Sequence, residues 1–274
     1  MAAPVTFLLD NGSLEPAATL RLRELAAALA ARVGEPVEAV SLLHSSGVPA
    51  ERLGGTRAEI FEPAVLRRAE AGAREFLIVP LFFGLSRALT DYLPERVRVL
   101  REKFPDLAAR VAPALFAAND GRLARILADN VRSVTAAPAR VALVDHGSPV
   151  RVVTEVREAL AAQLAGELGG ATEVVGCCME RRPEPAYDFN EPMLERLLAR
   201  SGWNSGEVVV AMQFLLPGRH AGAEGDVAQI CRRAEAENAG LRARLTPLVA
   251  GHPLLGEILA DRWQAGRTAV PLAP

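Results

Sequence analysis

The sequence predicts an α/β protein built from two homologous, doubly wound halves, each with a roughly four-stranded parallel sheet flanked by helices. Three observations predict this fold. Short apolar runs alternate with amphipathic helical stretches, the whole pattern occurs twice, and 50% of the 274 residues are hydrophobic. A chain of this length and composition can bury a large core.

The repeat is visible as three pairs of similar segments that occur in the same order at near-constant spacing. They are LLDNGS at 8–13 with LVDHGS at 143–148, VPLFF at 79–83 with AMQFL at 211–215, and RILADNV at 125–131 with EILADRW at 257–263. Such ordered self-similarity indicates an internal duplication. We therefore predict two domains, residues 1–137 and residues 138–274.

Each half begins with a strand, a Gly-Ser turn and a long helix. Apolar residues recur every three or four positions over 22–33 and 153–168, and Gly34 and Gly169 end these two predicted helices. Shorter apolar runs bounded by turns are typical of strands buried on both faces. The predicted further strands lie at 37–43, 76–83, 111–116, 173–179, 207–214 and 245–249.

Charge and cysteine content exclude several classes of partner. The chain has 31 basic and 33 acidic residues, a net charge of -2, which favours neither nucleic acid nor an anionic membrane. Three cysteines are too few for a disulfide framework and fit a reducing compartment. The first apolar run ends at Asp10, too early for a signal peptide or a membrane span. We expect a cytoplasmic protein.

Three metal-binding side chains follow the strands of the second half. His146 ends the first strand, Glu180 ends the second, and His220 follows the third. Because the carboxyl ends of parallel strands share one edge of a sheet, we expect these side chains to meet. Two imidazoles and one carboxylate form an open site for a first-row metal, with positions left for a substrate.

Each of these residues also has an ordinary structural explanation when taken alone. A strand-end histidine such as His146 commonly caps loop amides, and Glu180 beside arginines commonly forms a solvated ion pair. His220 lies in a glycine-rich loop where Arg219 could bind an anion. The coincidence of all three on one predicted edge favours the metal hypothesis.

The first half lacks this set of candidate metal ligands. At the corresponding positions it has Asn11, His44 and Ala88. Both histidine ligands of the second half are therefore missing, and we expect metal chemistry in the second half only. His44 stays a candidate auxiliary group.

Four segments of the second half carry a resemblance to a known family: VDHGSP at 144–149, CCME at 177–180, LLPGRHAG at 215–222 and GHPLLGEILADR at 251–262. They resemble the class II tetrapyrrole chelatases, the sirohydrochlorin cobaltochelatases and ferrochelatases, in the two-repeat form. The resemblance implies a chelatase-like fold and the insertion of Co²⁺ or Fe²⁺ into sirohydrochlorin or a related tetrapyrrole, in cobalamin or sirohaem biosynthesis. The metal is then a substrate, and no prosthetic group is expected.

The resemblance also implies roles for individual residues. His146 and His220 would hold the incoming metal, and Glu180 would help to ligate it or receive the pyrrole protons. Arginines near the site could pair with the substrate's carboxylates. The candidate substrate-binding residues are Ser148, Arg181, Arg219 and His44.

Two other functions remain open from the sequence. One is a non-catalytic protein that binds metal or tetrapyrrole and descends from a chelatase. The other is an anion-binding module that uses the Gly-Ser turns at helix N-termini. The complete His-Glu-His set favours an enzyme, because a carrier needs no proton acceptor. A fused pair of halves has less need to dimerise, so we expect a monomer with pseudo-two-fold halves.

Overall fold

The computed structural model describes residues 3–273 and contains eight strands and eight α-helices within that range. The first half comprises β1 (Val5–Asp10), α1 (Pro16–Val33), β2 (Val37–Ser41), α2 (Phe61–Glu70), β3 (Glu75–Pro80), α3 (Leu93–Lys103), β4 (Ala108–Val111) and α4 (Arg122–Val134). The second comprises β5 (Arg140–Asp145), α5 (Arg151–Leu168), β6 (Glu173–Cys178), α6 (Leu194–Ala199), β7 (Gly206–Met212), α7 (Asp226–Glu237), β8 (Leu241–Leu245) and α8 (Leu254–Arg267). Among the helices of this range, none combines the length and the apolar composition that a membrane span needs.

The strands form two four-stranded parallel sheets with the same topology. Their orders are β2-β1-β3-β4 and β6-β5-β7-β8. The predicted α/β architecture of two parallel sheets flanked by helices is thereby confirmed. In such sheets the chain winds outward in both directions from one point, here between β1 and β3 or between β5 and β7. Ligands bind beyond the carboxyl ends of the strands at that point.

The inner strands are apolar because helices cover both of their faces. Val141 to Val144 of β5 are completely buried, as are Phe7 to Leu9 of β1. The ring of Phe7 packs against Phe61 edge to face, with centroids 6.3 Å apart. The buried residues of β1 and β5 thus hold the carboxyl ends of these two strands in place.

The edge strands β4 and β8 lie about four residues before the runs predicted at 111–116 and 245–249, so these two predictions are wrong. Edge strands are half exposed and carry charged residues such as Arg110, which breaks the apolar signal. The predicted runs contain Pro113 and Pro247, which have no N–H to donate to a ladder. They form loops at the carboxyl edges of the sheets.

The compact units of the structure differ from the predicted domains. One unit is Met1–Leu115 with Gly256–Pro274, and the other is Phe116–Leu255. The predicted boundary between residues 137 and 138 is therefore corrected. The last helix of each half belongs to the unit formed by the other half: α4 packs against α5 and β7, and α8 packs in the first unit.

Contacts of the exchanged helices show why each stays with its unit. A Cβ on Gly266 of α8 would lie 2.7 Å from side-chain atoms of Leu77 and Ala112, so the helix backbone touches the first sheet directly. In the second unit, Asn130 of α4 donates a hydrogen bond to the carbonyl of Pro247 (3.2 Å). The matching segments RILADNV and EILADRW are these two helices, so the duplication includes their exchange.

The first strand in the sequence of each sheet ends in a buried carboxylate, and the two carboxylates differ in their partners. Asp145 pairs with the fully buried guanidinium of Arg157 on α5 (Oδ1 to Nη1, 3.2 Å). Where α5 has Arg157, α1 has Leu22, and Asp10 Oδ1 finds no hydrogen-bond partner among the described residues. Burial raises the pKa of Asp10 to about 6, against an opposing hydrogen bond from Ser41.

We expect Asp10→Asn to raise the free energy of unfolding at neutral pH, by up to about 3 kcal/mol. Folding raises the Asp10 pKa from 3.8 to about 6, so the unfolded chain loses this proton first as the pH rises. The free energy of unfolding of the wild-type protein therefore falls as the pH rises from about 3.8 to about 6, and it stays lower at higher pH. Urea unfolding at about pH 4 and about pH 7.5 should show a gain that is large only at the higher pH.

Asp145→Asn is the matched control for this experiment. It removes the buried partner of Arg157 and should cost on the order of 3 kcal/mol at neutral pH. A loss of stability for both variants at neutral pH would contradict the account of Asp10 as an unpaired buried carboxylate.

Candidate metal centre

The three predicted ligands all lie at the carboxyl edge of the second sheet. His146 follows β5 directly, Glu180 lies two residues after β6, and His220 lies in the loop between β7 and α7. All three belong to the second unit. The sheet topology therefore brings them to the point where parallel sheets bind ligands.

The turn after β5 holds His146 beside Glu180 through a close backbone approach. Gly147 has φ 92°, and a Cβ at this position would lie 1.9 Å from the carbonyl oxygen of Glu180. The amide of Glu180 donates to the carbonyl of His146 (3.2 Å). With the backbones joined in this way, His146 Nε2 lies 3.3 Å from Glu180 Oε1.

Asn190 supports the same turn from a neighbouring loop. The Ser148 amide donates to Asn190 Oδ1 (3.0 Å), and Asn190 Nδ2 donates to the Ser148 carbonyl (2.9 Å). The Ser148 hydroxyl accepts from the amide of Val150 (3.1 Å). These contacts give Ser148 a structural role in the turn and do not support its predicted role in substrate binding.

His220 is held by Asp226, the first residue of α7. His220 Nδ1 lies 2.6 Å from Asp226 Oδ2, and the amide of Val227 donates to the His220 carbonyl (3.3 Å). The imidazole of His220 meets that of His146 edge to face, with ring centroids 4.7 Å apart and an interplanar angle of 74°. The structure thus brings together the three side chains that the sequence predicted to meet.

The three side chains are accessible to a ligand from solvent. The exposed fraction of the side chain is 47% for His146, 60% for Glu180 and 31% for His220. Within residues 3–273, no group of three or more His, Cys, Asp or Glu side chains has the arrangement needed to hold a metal ion as it stands. An ion bound here would have to replace the direct contact between His146 and Glu180.

A cavity of about 180 Å³ adjoins these residues in the second unit. Its lining includes Glu180, Glu195, Asp226 and Arg233. Three carboxylates against one guanidinium give this surface an acidic character, and such a surface attracts cations. The setting is favourable for the approach of a divalent metal.

Of the two arginines predicted to bind substrate, Arg181 forms ion pairs with other residues of the protein. Arg181 has a side chain 10% exposed, with Nε 2.7 Å from Glu191 Oε1 and Nη2 3.0 Å from Asp188 Oδ1. These ion pairs do not support a role for Arg181 in substrate binding. The side chain of Arg219 is 84% exposed, with Nε 3.7 Å from Asp226, and it is better placed for an anionic ligand.

The cysteines beside the site offer no ligand in their present state. Cys177 and Cys178 end β6, and both are buried and unbridged. Burial raises the pKa of the Cys178 thiol to about 12, so it stays protonated at neutral pH in the metal-free protein. The donors at this edge are therefore nitrogen and oxygen.

The first unit repeats the backbone arrangement without the ligands. A Cβ on Gly12 would lie 1.7 Å from the carbonyl oxygen of Leu43, whose amide donates to the carbonyl of Asn11 (3.2 Å). The counterpart of Glu180 is therefore Leu43, which corrects the predicted correspondence with His44. The reason is that strand pairing offsets β2 from β6 by one position more than the sequence comparison assumed.

His44 itself is exposed and has φ 65°, the one positive φ of a non-glycine residue within residues 3–273. Ala88 begins a π-helical turn, Ala88–Tyr92, whereas His220 lies in an open loop. A cavity of about 440 Å³ lined by Asn11, Leu43 and Ala88 among others occupies this edge. Asn11, Leu43 and Ala88 stand where the second unit has the candidate ligands.

The comparisons with known proteins identify the segment that carries the site. A family model described as CbiX matches residues 140–265. We call residues 140–265, which this model matches, the CbiX segment. This segment contains His146, Glu180 and His220, and the match confirms the chelatase resemblance on which the sequence prediction rests. A search of curated protein sequences finds no match.

Solved structures extend the likeness from the CbiX segment to nearly the whole chain. SirB from Bacillus subtilis with Fe³⁺ has 15% identity and a TM-score of 0.74, covering 97% of this chain and 96% of that one. SirB from Bacillus subtilis subspecies spizizenii in complex with cobalt has 15% identity and a TM-score of 0.73, covering 99% and 100%. CbiX, described as the terminal enzyme of sirohaem biosynthesis in denitrifying bacteria, has 22% identity and a TM-score of 0.57, covering 96% and 99%. At such identities these matches show the fold, which is chelatase-like in both halves.

Sequence reasoning missed two residues that organise the CbiX site. Asn190 lies 42 positions after Ser148, and no local pattern links them. Asp226 had a weak signal, because it is an acidic residue at the start of a helix that follows the His220 loop. A carboxylate near a metal-binding histidine is a common second partner of the ring.

We expect Gly147→Ala to destabilise the CbiX segment by about 3 kcal/mol or more, because the new Cβ meets the Glu180 carbonyl and the residue has positive φ. Gly34→Ala is the matched control: Gly34 has φ 73° and ψ 14°, the left-handed helical conformation, but nothing lies within 4 Å of the position that its Cβ would take. That control should cost only about 1 kcal/mol. Chemical unfolding of both variants measures the difference, and equal losses would contradict the close approach.

Proposed function

We propose that this protein is a chelatase that inserts a divalent metal, Co²⁺ or Fe²⁺, into sirohydrochlorin or a closely related tetrapyrrole. The observation that carries the proposal is the meeting of His146, Glu180 and His220 at one edge of the sheet. The CbiX match over this segment and the chelatase-like fold support it. The product would enter cobalamin biosynthesis with cobalt or sirohaem biosynthesis with iron.

The ligand set suits a metal that must be handed on. Imidazole nitrogens and a carboxylate oxygen bind first-row divalent ions, and three protein ligands leave coordination positions for the pyrrole nitrogens. The side chains of His146, Glu180 and His220 are partly exposed to solvent. Ligands of this kind can bind an ion from solvent and release it to the macrocycle.

Metal insertion also needs a proton acceptor. One dication replaces two pyrrole N–H protons, so a base close to the metal must take them up. Glu180 is the exposed carboxylate of the set and lies next to His146 Nε2. We assign Glu180 to accepting the two protons in succession and passing each to solvent, to which its side chain is 60% exposed. We assign Arg219 to pairing with the carboxylates of the substrate. Metal choice depends on supply and geometry, since cobalt and iron accept the same donors.

Replacing either imidazole should abolish the reaction. For His146→Ala and His220→Ala we expect kcat/KM for Co²⁺ insertion into sirohydrochlorin to fall more than about 100-fold, because the loss of an outer-shell partner alone costs about 10- to 100-fold. The change in the absorption spectrum of the macrocycle measures the rate. His252→Ala is the control, since His252 contacts Asp129 and the Leu254 amide instead of the site.

The same assay separates the enzyme from its alternatives. If wild-type protein and both histidine variants match the uncatalysed rate, the proposed enzyme activity is wrong. If wild-type protein binds the macrocycle or the metal without accelerating insertion, the result supports the non-catalytic binding protein.

A further inference from the structure

We propose that Asp226 is a positioning residue that fixes the tautomer and orientation of His220, so that Nε2 of this ring faces the incoming metal. The inference rests on the proposed function for the identity of the ligand. It adds a residue that neither the sequence motifs nor the family match single out.

The tautomer follows from the contact between the two side chains. His220 Nδ1 lies 2.6 Å from Asp226 Oδ2. A carboxylate can only accept a hydrogen bond, so Nδ1 must carry the proton that is shared. In the neutral imidazole the other nitrogen, Nε2, then has a free lone pair and can bind a metal.

Asp226 is itself held in place by the start of α7. Its amide donates to the carbonyl of Arg219 (3.3 Å), and its carboxylate lies at the helix N-terminus, where negative charge is favoured. The next amide, of Val227, donates to the His220 carbonyl (3.3 Å). The loop from His220 to the helix is thus closed by backbone and side-chain bonds together.

The two imidazoles of the site are held differently. His146 Nδ1 lies 3.1 Å from the carbonyl of Gly147, whereas His220 Nδ1 contacts a carboxylate. A carboxylate partner makes the opposite nitrogen a better donor than a carbonyl partner does. We therefore assign His220 as the stronger of the two metal ligands, with Asp226 as the cause.

The first measurement uses metal-free, ¹⁵N-labelled protein and needs no chelatase activity. Long-range ¹H–¹⁵N spectra of the histidine rings should show wild-type His220 protonated at Nδ1. Asp226→Ala and Asp226→Asn should both lose this preference, because an alanine makes no contact and an amide can donate to Nδ1 as readily as it accepts from it. A wild-type His220 protonated at Nε2 would overturn the proposal, even if the alanine variant fails to fold.

The second measurement is the affinity of the same proteins for Co²⁺, followed by visible absorption. Asp226→Ala should raise the Kd about 10- to 100-fold, the usual cost of losing such a partner, and Asp226→Asn should restore little of that loss, because it lacks the carboxylate. Glu224→Ala is the matched control, because Glu224 is an exposed acid of the same loop that pairs with Arg232. Its Kd should equal that of the wild type.

The outcomes separate this proposal from the proposed function. Wild-type tautomer and wild-type Co²⁺ affinity in Asp226→Ala would overturn the positioning role while leaving the chelatase proposal intact. The expected shifts in both, in a protein that does not insert metal into sirohydrochlorin, would support the positioning role and contradict the chelatase proposal.

Discussion

The approach of the Gly147 backbone to the carbonyl of Glu180 is the constraint on which the site depends. No side chain fits at residue 147, because its Cβ would lie 1.9 Å from that oxygen. The contact joins the ends of two neighbouring strands, and the residues on either side of it, His146 and Glu180, are forced into contact. The third strand then adds His220 beside His146. The proposed metal site is therefore built on a backbone contact.

The same contact in the first unit, between Gly12 and Leu43, shows that this scaffold is separable from the chemistry it carries. There the flanking residue is Asn11 in place of a histidine, and Leu43 replaces the acid. The buried carboxylate at the end of the first strand differs too. Asp145 pairs with Arg157, whereas Oδ1 of Asp10 has no hydrogen-bond partner among the described residues. The first unit has the same backbone frame without the proposed ligands, and the shared frame accounts for the similar sequences of the two turns.

Much of the fold could be predicted because buried strands are apolar and the long helices have a clear period, as in β5 and α5. The edge strands β4 and β8 could not be predicted, since arginines interrupt their apolar pattern. The exchange of α4 and α8 could not be predicted either. An amphipathic pattern indicates that a helix packs on a sheet, but it does not indicate which sheet. The meeting of His146, Glu180 and His220 could be predicted from strand ends. The positions of Leu43 and Asp226 could not, because they depend on strand register and loop closure.

The most direct test of this account is a crystal structure of the protein soaked with Co²⁺, with anomalous scattering used to locate the metal. The account predicts one ion in contact with Nε2 of His146, Nε2 of His220 and the carboxylate of Glu180, and none at Asn11 and Ala88. An ion held elsewhere, or bound equally at both edges, would contradict it.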